Sequence, residues 1–341
     1  MEIKRIERES RAARWARRHP VRSRLEVGLT GLAAAWVPCW PRAGVVGLAR
    51  LLGAIGYRMS GRLRALGDAN LELALGAELS AADRARVLRQ AFRTMALTAL
   101  DTFWFARRTS ARLARWVAFD GWYEREIFQP GGAICLTAHM GNWELFGKAI
   151  TYRGFPLMSV VNPLANPAVD VVLNGLRQRG GQLIIERQGA MRRMLTQLRQ
   201  GGKIAVVLDQ NTLPDEGGVL VDFFGRTVCM SAAPAALHYH TGAPVRFGVF
   251  LPDASGQYRA RPGCQISLPP CPAGKADPET LQRATQAIAS AIEATVRADP
   301  GQWLWMYKRW KYIPPAADPA TYPDYAQPLE PGPAQEPPPL P

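Results

Sequence analysis

The stretch AICLTAHMGNWELFGKAI, residues 133–150, changes character halfway along. Residues 133–138 are a short apolar run of strand length, and 142–152 place apolar side chains at helical intervals. Between them Gly141 permits a tight turn, Asn142 is a good helix N-cap, and Glu144 falls in the first turn, where a carboxylate complements the helix dipole. Strand, turn and helix in that order open a crossover unit. The pattern repeats downstream: apolar runs at 157–161, 182–185 and 203–208 alternate with helical stretches at 166–179 and 190–200. Such alternation predicts an α/β fold with a mainly parallel central sheet flanked by helices. Further strands are expected at 217–224 and 243–251, and a long helix over 278–298.

His139, one of only four histidines, sits on this strand–helix connection. That is the C-terminal edge of the sheet, where open α/β folds place their sites. Two helical residues five apart would face about 140° away from each other. The break at Ala138 removes that restriction and lets Glu144 bend back toward the imidazole. A carboxylate on one ring nitrogen fixes the tautomer and makes the other a better base. The alternative is equally plain: His139 ends a strand and Glu144 serves only the helix terminus.

Upstream, residues 62–116 read as helices, with Val87, Leu88, Ala91 and Met95 recurring near a 3.6-residue period. Ser80 with Asp83 three residues on marks a helix start. The first 24 residues hold nine Lys/Arg against three Glu, with Arg11, Arg14, Arg18 and Arg22 at helical spacing. The uncharged run 27–41 follows, with two tryptophans near its end and closed by Pro38 and Pro41. It is shorter than the roughly 20 residues a membrane-spanning helix needs. Basic residues ahead of such a segment predict a monotopic or anchoring helix with its basic side toward the cytoplasm. The expected organisation is a basic, apolar membrane-associated segment over 1–60, a catalytic domain over 61–312, and a Pro-rich disordered tail over 313–341.

A net charge of +14 favours anionic partners. Nucleic acid fits poorly, since neither zinc-finger spacing nor an RNP-like run occurs. The five cysteines form no CxxC pair, which excludes common zinc and disulfide frameworks. G-x-S-x-G, a Walker A loop, G-x-G-x-x-G and H-E-x-x-H are all absent, arguing against a lipase, an NTPase, a dinucleotide enzyme and a zincin. His238 and His240 lack nearby acids and read as helix residues, so neither a metal nor a cofactor is expected.

The block HMGNWE (139–144) resembles the H-x4-[D/E] motif of glycerolipid-type acyltransferases. In its G-N-W-E form it is similar to that of the bacterial lipid A late acyltransferases, the lauroyl/myristoyl transferase family. NPLANPAVD (162–170), LDQN (208–211), the segment 222–245 and the W-x-W-x-x-x-R-W-K block within 299–312 resemble that family's further blocks, in order. Tyr307 stands where the family often has His, and Asn211 where an acid sometimes follows D-Q.

This resemblance implies transfer of a fatty acyl chain from a thioester, acyl carrier protein or coenzyme A, to a hydroxyl of an anionic lipid. The setting it implies is the cytoplasmic face of the bacterial inner membrane. It casts His139 as general base and Glu144 as its orienting partner. Arg177, with Arg179 and Arg187 as close rivals for the part, would steady the thioester oxyanion or hold an acceptor phosphate, and Asp209 occupies a matching position of less defined role. Asn142, Trp143, Asn162, Gln210 and Arg187 are the expected substrate contacts. A different glycolipid or lysophospholipid acceptor, or thioester hydrolysis by the same pair, would use the same residues.

Overall fold

The computed structural model describes residues 18–187, 189–271 and 276–330, and of 262–265 the backbone alone. Arg11 and Arg14 of the basic arm therefore lie outside the described residues.

Among the described residues five helices come first: α1 (Pro20–Trp36), α2 (Arg42–Met59), α3 (Gly61–Leu75), α4 (Ala81–Trp104) and α5 (Thr109–Trp116). The start of α4 is where sequence places it, the Ser80 hydroxyl accepting from Asp83 N at 3.2 Å. Then β1 (Val117–Phe119) leads into the alternating part: β2 (Ala133–Thr137), α6 (Trp143–Tyr152), β3 (Leu157–Val161), α7 (Pro167–Arg179), β4 (Gln182–Glu186), α8 (Ala190–Arg199) and β5 (Lys203–Val207). A hairpin, β6 (Gly218–Phe223) and β7 (Arg226–Ser231), stands apart from the main sheet as its own two-stranded sheet. It is followed by α9 (Ala233–Thr241), β8 (Val245–Pro252), β9 (Tyr258–Gln265), α10 (Pro278–Ala298), β10 (Tyr312–Ile313) and β11 (Gln327–Pro328).

The main sheet runs β1-β9-β8-β2-β5-β3-β4 and is parallel throughout except between β8 and β9. The chain steps from β2 over β5 to β3 and β4, then back to β5. Right-handed crossovers therefore put α6 and α7 on one face and α8 on the other. The two cores agree. Ile134, Leu136, Met158 and Ile204 pack with Met194, Leu195 and Leu198 of α8 on one side. On the other, Cys135 and Leu157 pack with Phe146 and Ala149 of α6 and Trp104 of α4. The direction reverses at β2 and β5, so the switch point of the sheet lies at their C-terminal ends.

A buried polar relay ties α2 to this scaffold. The Arg42 guanidinium meets both carboxylate oxygens of Asp101 and also donates to the Gly256 carbonyl; Tyr258 donates to Asp101 Oδ2 at 2.6 Å. Asn142 donates in turn to the Tyr258 hydroxyl at 3.2 Å. The charges are thus paired and hydrogen-bonded, which is what makes their burial tolerable.

One expectation needs correction. The 313–341 segment is not disordered throughout: residues 313–330 are ordered, and Ile313 and Tyr322 are buried. Tyr322 donates to the Thr227 carbonyl at 2.9 Å, and the Tyr325 hydroxyl bonds Asn70. Aromatic and aliphatic anchors set among the prolines give this stretch surface to bury, which composition alone conceals; 331–341 lie outside the described residues. At the other end, among the described residues no helix is long and apolar enough to cross a membrane.

Candidate active site

His139 and Asp209 each lie two residues past the end of a strand. The parallel register pairs Thr137 of β2 with Val207 of β5. The two side chains therefore leave neighbouring strands at the same level, and they meet. The His139 ring bonds Asp209 Oδ1 through Nδ1 at 2.7 Å, and its backbone N–H donates to Asp209 Oδ2 at 2.9 Å. Trp303 Nε1 donates to Oδ2 as well, at 2.7 Å. An ionised carboxylate only accepts, so the imidazole proton sits on Nδ1 and the lone pair on Nε2. Burial alone would raise the Asp209 carboxyl. The charge of His139 and the hydrogen bonds from His139 and Trp303 outweigh it and hold the group below its ordinary value.

The connection carrying His139 is pinned from several sides. Gly141 N–H donates to the Gln302 carbonyl at 2.9 Å, Asn142 N–H to that of Phe250 at 2.8 Å, and Leu304 N–H to that of His139 at 3.0 Å. Thr98 on α4 donates to the Gly141 carbonyl at 2.7 Å. Gly141 has φ +56°, and a Cβ there would lie 2.1 Å from the Phe250 carbonyl oxygen. Only glycine fits that turn. Asn142 accepts from Leu145 N at 3.1 Å, capping α6 as its type suggests. Its side chain is fully buried and shared between this cap and Tyr258, so it is a positioning residue rather than the expected substrate contact.

Glu144 departs from its expected part. Its carboxylate is bound by Arg177 from α7, whose Nε donates to Oε2 at 2.9 Å while Nη2 reaches Oε1. The partner on His139 Nδ1 is Asp209, on the adjacent strand end, not the acid one helical turn along. Desolvation would raise Glu144; the hydrogen bonds and charge of Arg177, with smaller help from Lys148 and His139, keep it low. Arg177 further donates through Nη1 to Asn174 Oδ1 at 2.7 Å. All three of its nitrogens are thus engaged within the protein.

A cavity of about 420 Å³ opens beside the ring and is bordered by His139, Trp143, Glu144, Asn162, Arg177 and Gln210. Trp143 packs edge-on against the imidazole at 4.8 Å between centroids. Gln210 Nε2 lies 3.4 Å from His139 Nε2. Of the predicted site residues, Arg187 is the one held elsewhere. It pairs with Glu216 at 3.0 Å and borders a second cavity on the opposite side, which shares Asn162 and Gln210 with the first. His238 and His240 bond the carbonyls of Ala243 and Ala236, and among the described residues no group of three or more His, Cys, Asp or Glu could hold a metal.

Trp303 is the residue that sequence reasoning left without a role. The W-x-W block flagged it, but nothing local says that an indole will reach the acid after β5. The rest of that block is a buttress. Trp305 and Trp310 are buried, and Arg309 donates to Asn211 Oδ1 at 2.7 Å and to the Cys229 carbonyl. The two positions that depart from the resembled pattern touch each other: Asn211 N–H donates to the Tyr307 hydroxyl at 3.1 Å.

Comparison with known proteins places the chain in a family. The family model described as bacterial lipid A biosynthesis acyltransferase matches residues 14–312. A lipid A biosynthesis acyltransferase of Haemophilus influenzae is 26% identical over 226 residues, covering 65% of this chain and 68% of that protein. A phosphatidylinositol mannoside acyltransferase of Mycolicibacterium smegmatis is 25% identical over 186 residues, covering 52% of this chain and 57% of that protein. With a match across most of its length, the chain belongs to the bacterial lipid A biosynthesis acyltransferase family.

Proposed function

We propose that this acyltransferase moves a fatty acyl chain from acyl carrier protein to a hydroxyl of a lipid A precursor or a closely related anionic lipid, working at the cytoplasmic face of the inner membrane. The observation that carries the reading is the His139–Asp209 pair at the mouth of the cavity, with Nδ1 committed and Nε2 left as base. Nε2 takes the proton of the acceptor hydroxyl as its oxygen attacks the thioester carbonyl. The tetrahedral intermediate then collapses, the C–S bond breaks, and the departing thiolate recovers the proton from the imidazolium. Asp209 steadies that imidazolium without taking its proton. Positioned base catalysis of this kind contributes about 10²–10⁴ in rate.

Gln210 supports the reading as an oxyanion donor, since its amide nitrogen borders the same space beside Nε2. The Glu144–Arg177 pair forms the facing wall and keeps positive charge at the cavity without leaving it unpaired.

Membrane association is supported by the first helices. Leu29, Leu32 and Trp36 on α1, Leu51 and Ile55 on α2, and Met59 at its end are all exposed. Apolar side chains on helices that follow a basic stretch of sequence suit an interfacial, monotopic seat. The net charge of +14 suits both an acidic carrier protein and an anionic bilayer.

The test is a labelled-acyl assay with carrier-protein thioester and lipid A precursor in mixed vesicles, following label into lipid, free acid or neither. Transfer to lipid that is lost in His139→Ala is the expected result. Free acid as the main product makes the chain a thioesterase, and no turnover with this thioester or its coenzyme A counterpart ends the catalytic reading.

A further inference from the structure

The cavity beside His139 continues along the sheet face that α6 covers. Thr137, Ala205, Ser159 and Gln182 all border it, from strands β2, β5, β3 and β4 in turn. Thr137 is level with Val207, and Ser159 with Ala205. Ser159 is therefore two residues lower and two strands over from Thr137, a diagonal of about 12 Å, with His139 two residues further still. Gln182, from the edge strand, borders the cavity one strand beyond Ser159. Ser159 Oγ donates to its Oε1 at 2.9 Å, while the amide nitrogen has no hydrogen-bond partner in the protein although the residue is only 7% exposed.

Directly against this amide stands Gly147, in the middle of α6. A Cβ built there would meet Gln182 Oε1 at 2.7 Å and both Cδ and Nε2 at 2.8 Å. Glycine is a poor choice for a helix interior, so its use here answers to space: it makes room for the amide.

We infer that Gln182, braced by Ser159 and admitted by Gly147, sets the length of the acyl chain this enzyme accepts. The inference rests on the proposed reading that this cavity receives the acyl chain. A chain ending short of Gln182 leaves the amide nitrogen open to water. One that reaches further buries that N–H against methylenes, which offer it no acceptor, or pushes the side chain out of its bond with Ser159. Trimming Gln182 lengthens the cavity, and adding a methyl at 147 drives the amide into it and shortens it.

The experiment compares the parent with Gln182→Ala, Gly147→Ala and the double variant. Each is given carrier-protein thioesters stepped by two methylenes and lipid A precursor in vesicles, with products weighed by mass spectrometry. In Gln182→Ala the optimum moves at least one step longer, with relative kcat/KM for the longer donor rising by about tenfold or more. In Gly147→Ala it moves shorter, and in the double variant, where the clash is gone, it follows Gln182→Ala. Should Gly147→Ala fail to fold, Gln182→Ser carries the same expectation of a longer optimum. An unchanged optimum in folded, active variants overturns the inference, as does a change confined to the KM of the acceptor lipid. Absence of transfer by the parent with every donor instead defeats the underlying reading, and the inference with it.

Discussion

Two acids stand near His139, and hydrogen-bond geometry separates their parts. Asp209 receives the ring Nδ1–H, the His139 backbone N–H and the Trp303 indole N–H; Glu144 receives Arg177. Both carboxylates are held below their ordinary values, Asp209 against its burial by the charge and bonds of His139, Glu144 against its burial by Arg177. The sign of the linkage follows. A carboxylate depressed in the folded state adds stability at pH above its unfolded value, about 4, and that stability is lost as pH falls through the folded value. Urea unfolding across a pH series should therefore show no contribution from these groups to any change above about pH 5 and a declining acid limb below it. Asp209→Asn should flatten that limb; a limb as steep as the parent's would mean the carboxylate is not stabilised in the fold.

At the scale of elements, the site is where two strand ends and a C-terminal block converge. Trp303 joins them, bonding Asp209 through its indole while Met140, beside His139, bridges to its backbone. Trp303→Phe keeps an aromatic ring and deletes the donor. With a hydrogen bond to a charged group lost and a small void opened, unfolding free energy should drop by about 2–4 kcal/mol. The value of kcat should fall while KM for the donor holds, and chemical denaturation with steady-state kinetics checks both. Loss of donor affinity alone would place Trp303 in substrate binding instead. The pieces of this convergence were legible to different degrees. His139, the turn at Gly141, the cap at Asn142 and the helix after it all lie within one local pattern, and the structure shows each of them. The pairing of His139 with Asp209 depends on β2 and β5 being neighbours, which no local periodicity encodes. The nearer acid in sequence drew the reading toward Glu144. Strands β1, β7 and β9 were missed for a related reason: one is three residues long, and Arg259 and Arg261 interrupt the apolar pattern of another.

For the whole molecule, the relay Arg42–Asp101–Tyr258–Asn142 joins the start of α2 to the cap of α6. Helix α2, with its exposed Leu51 and Ile55, and the connection carrying His139 are thereby parts of one packed unit. This suits the proposed bilayer-borne acceptor, and the positive charge supplies a test of that proposal. Sedimentation with anionic vesicles should weaken several-fold between about 0.05 and 0.5 M salt, as exposed charges are screened, and a salt-independent partition would assign the binding to apolar contacts alone. The most direct test of the central claim, that His139 and Asp209 act as one base, is a double-mutant comparison of acyl transfer. His139→Ala, Asp209→Asn and their combination should lose similar amounts of kcat, about 10²–10⁴, because members of one catalytic unit are not additive. Losses that multiply in the combined variant, or an Asp209→Asn enzyme with parental kcat, would contradict it.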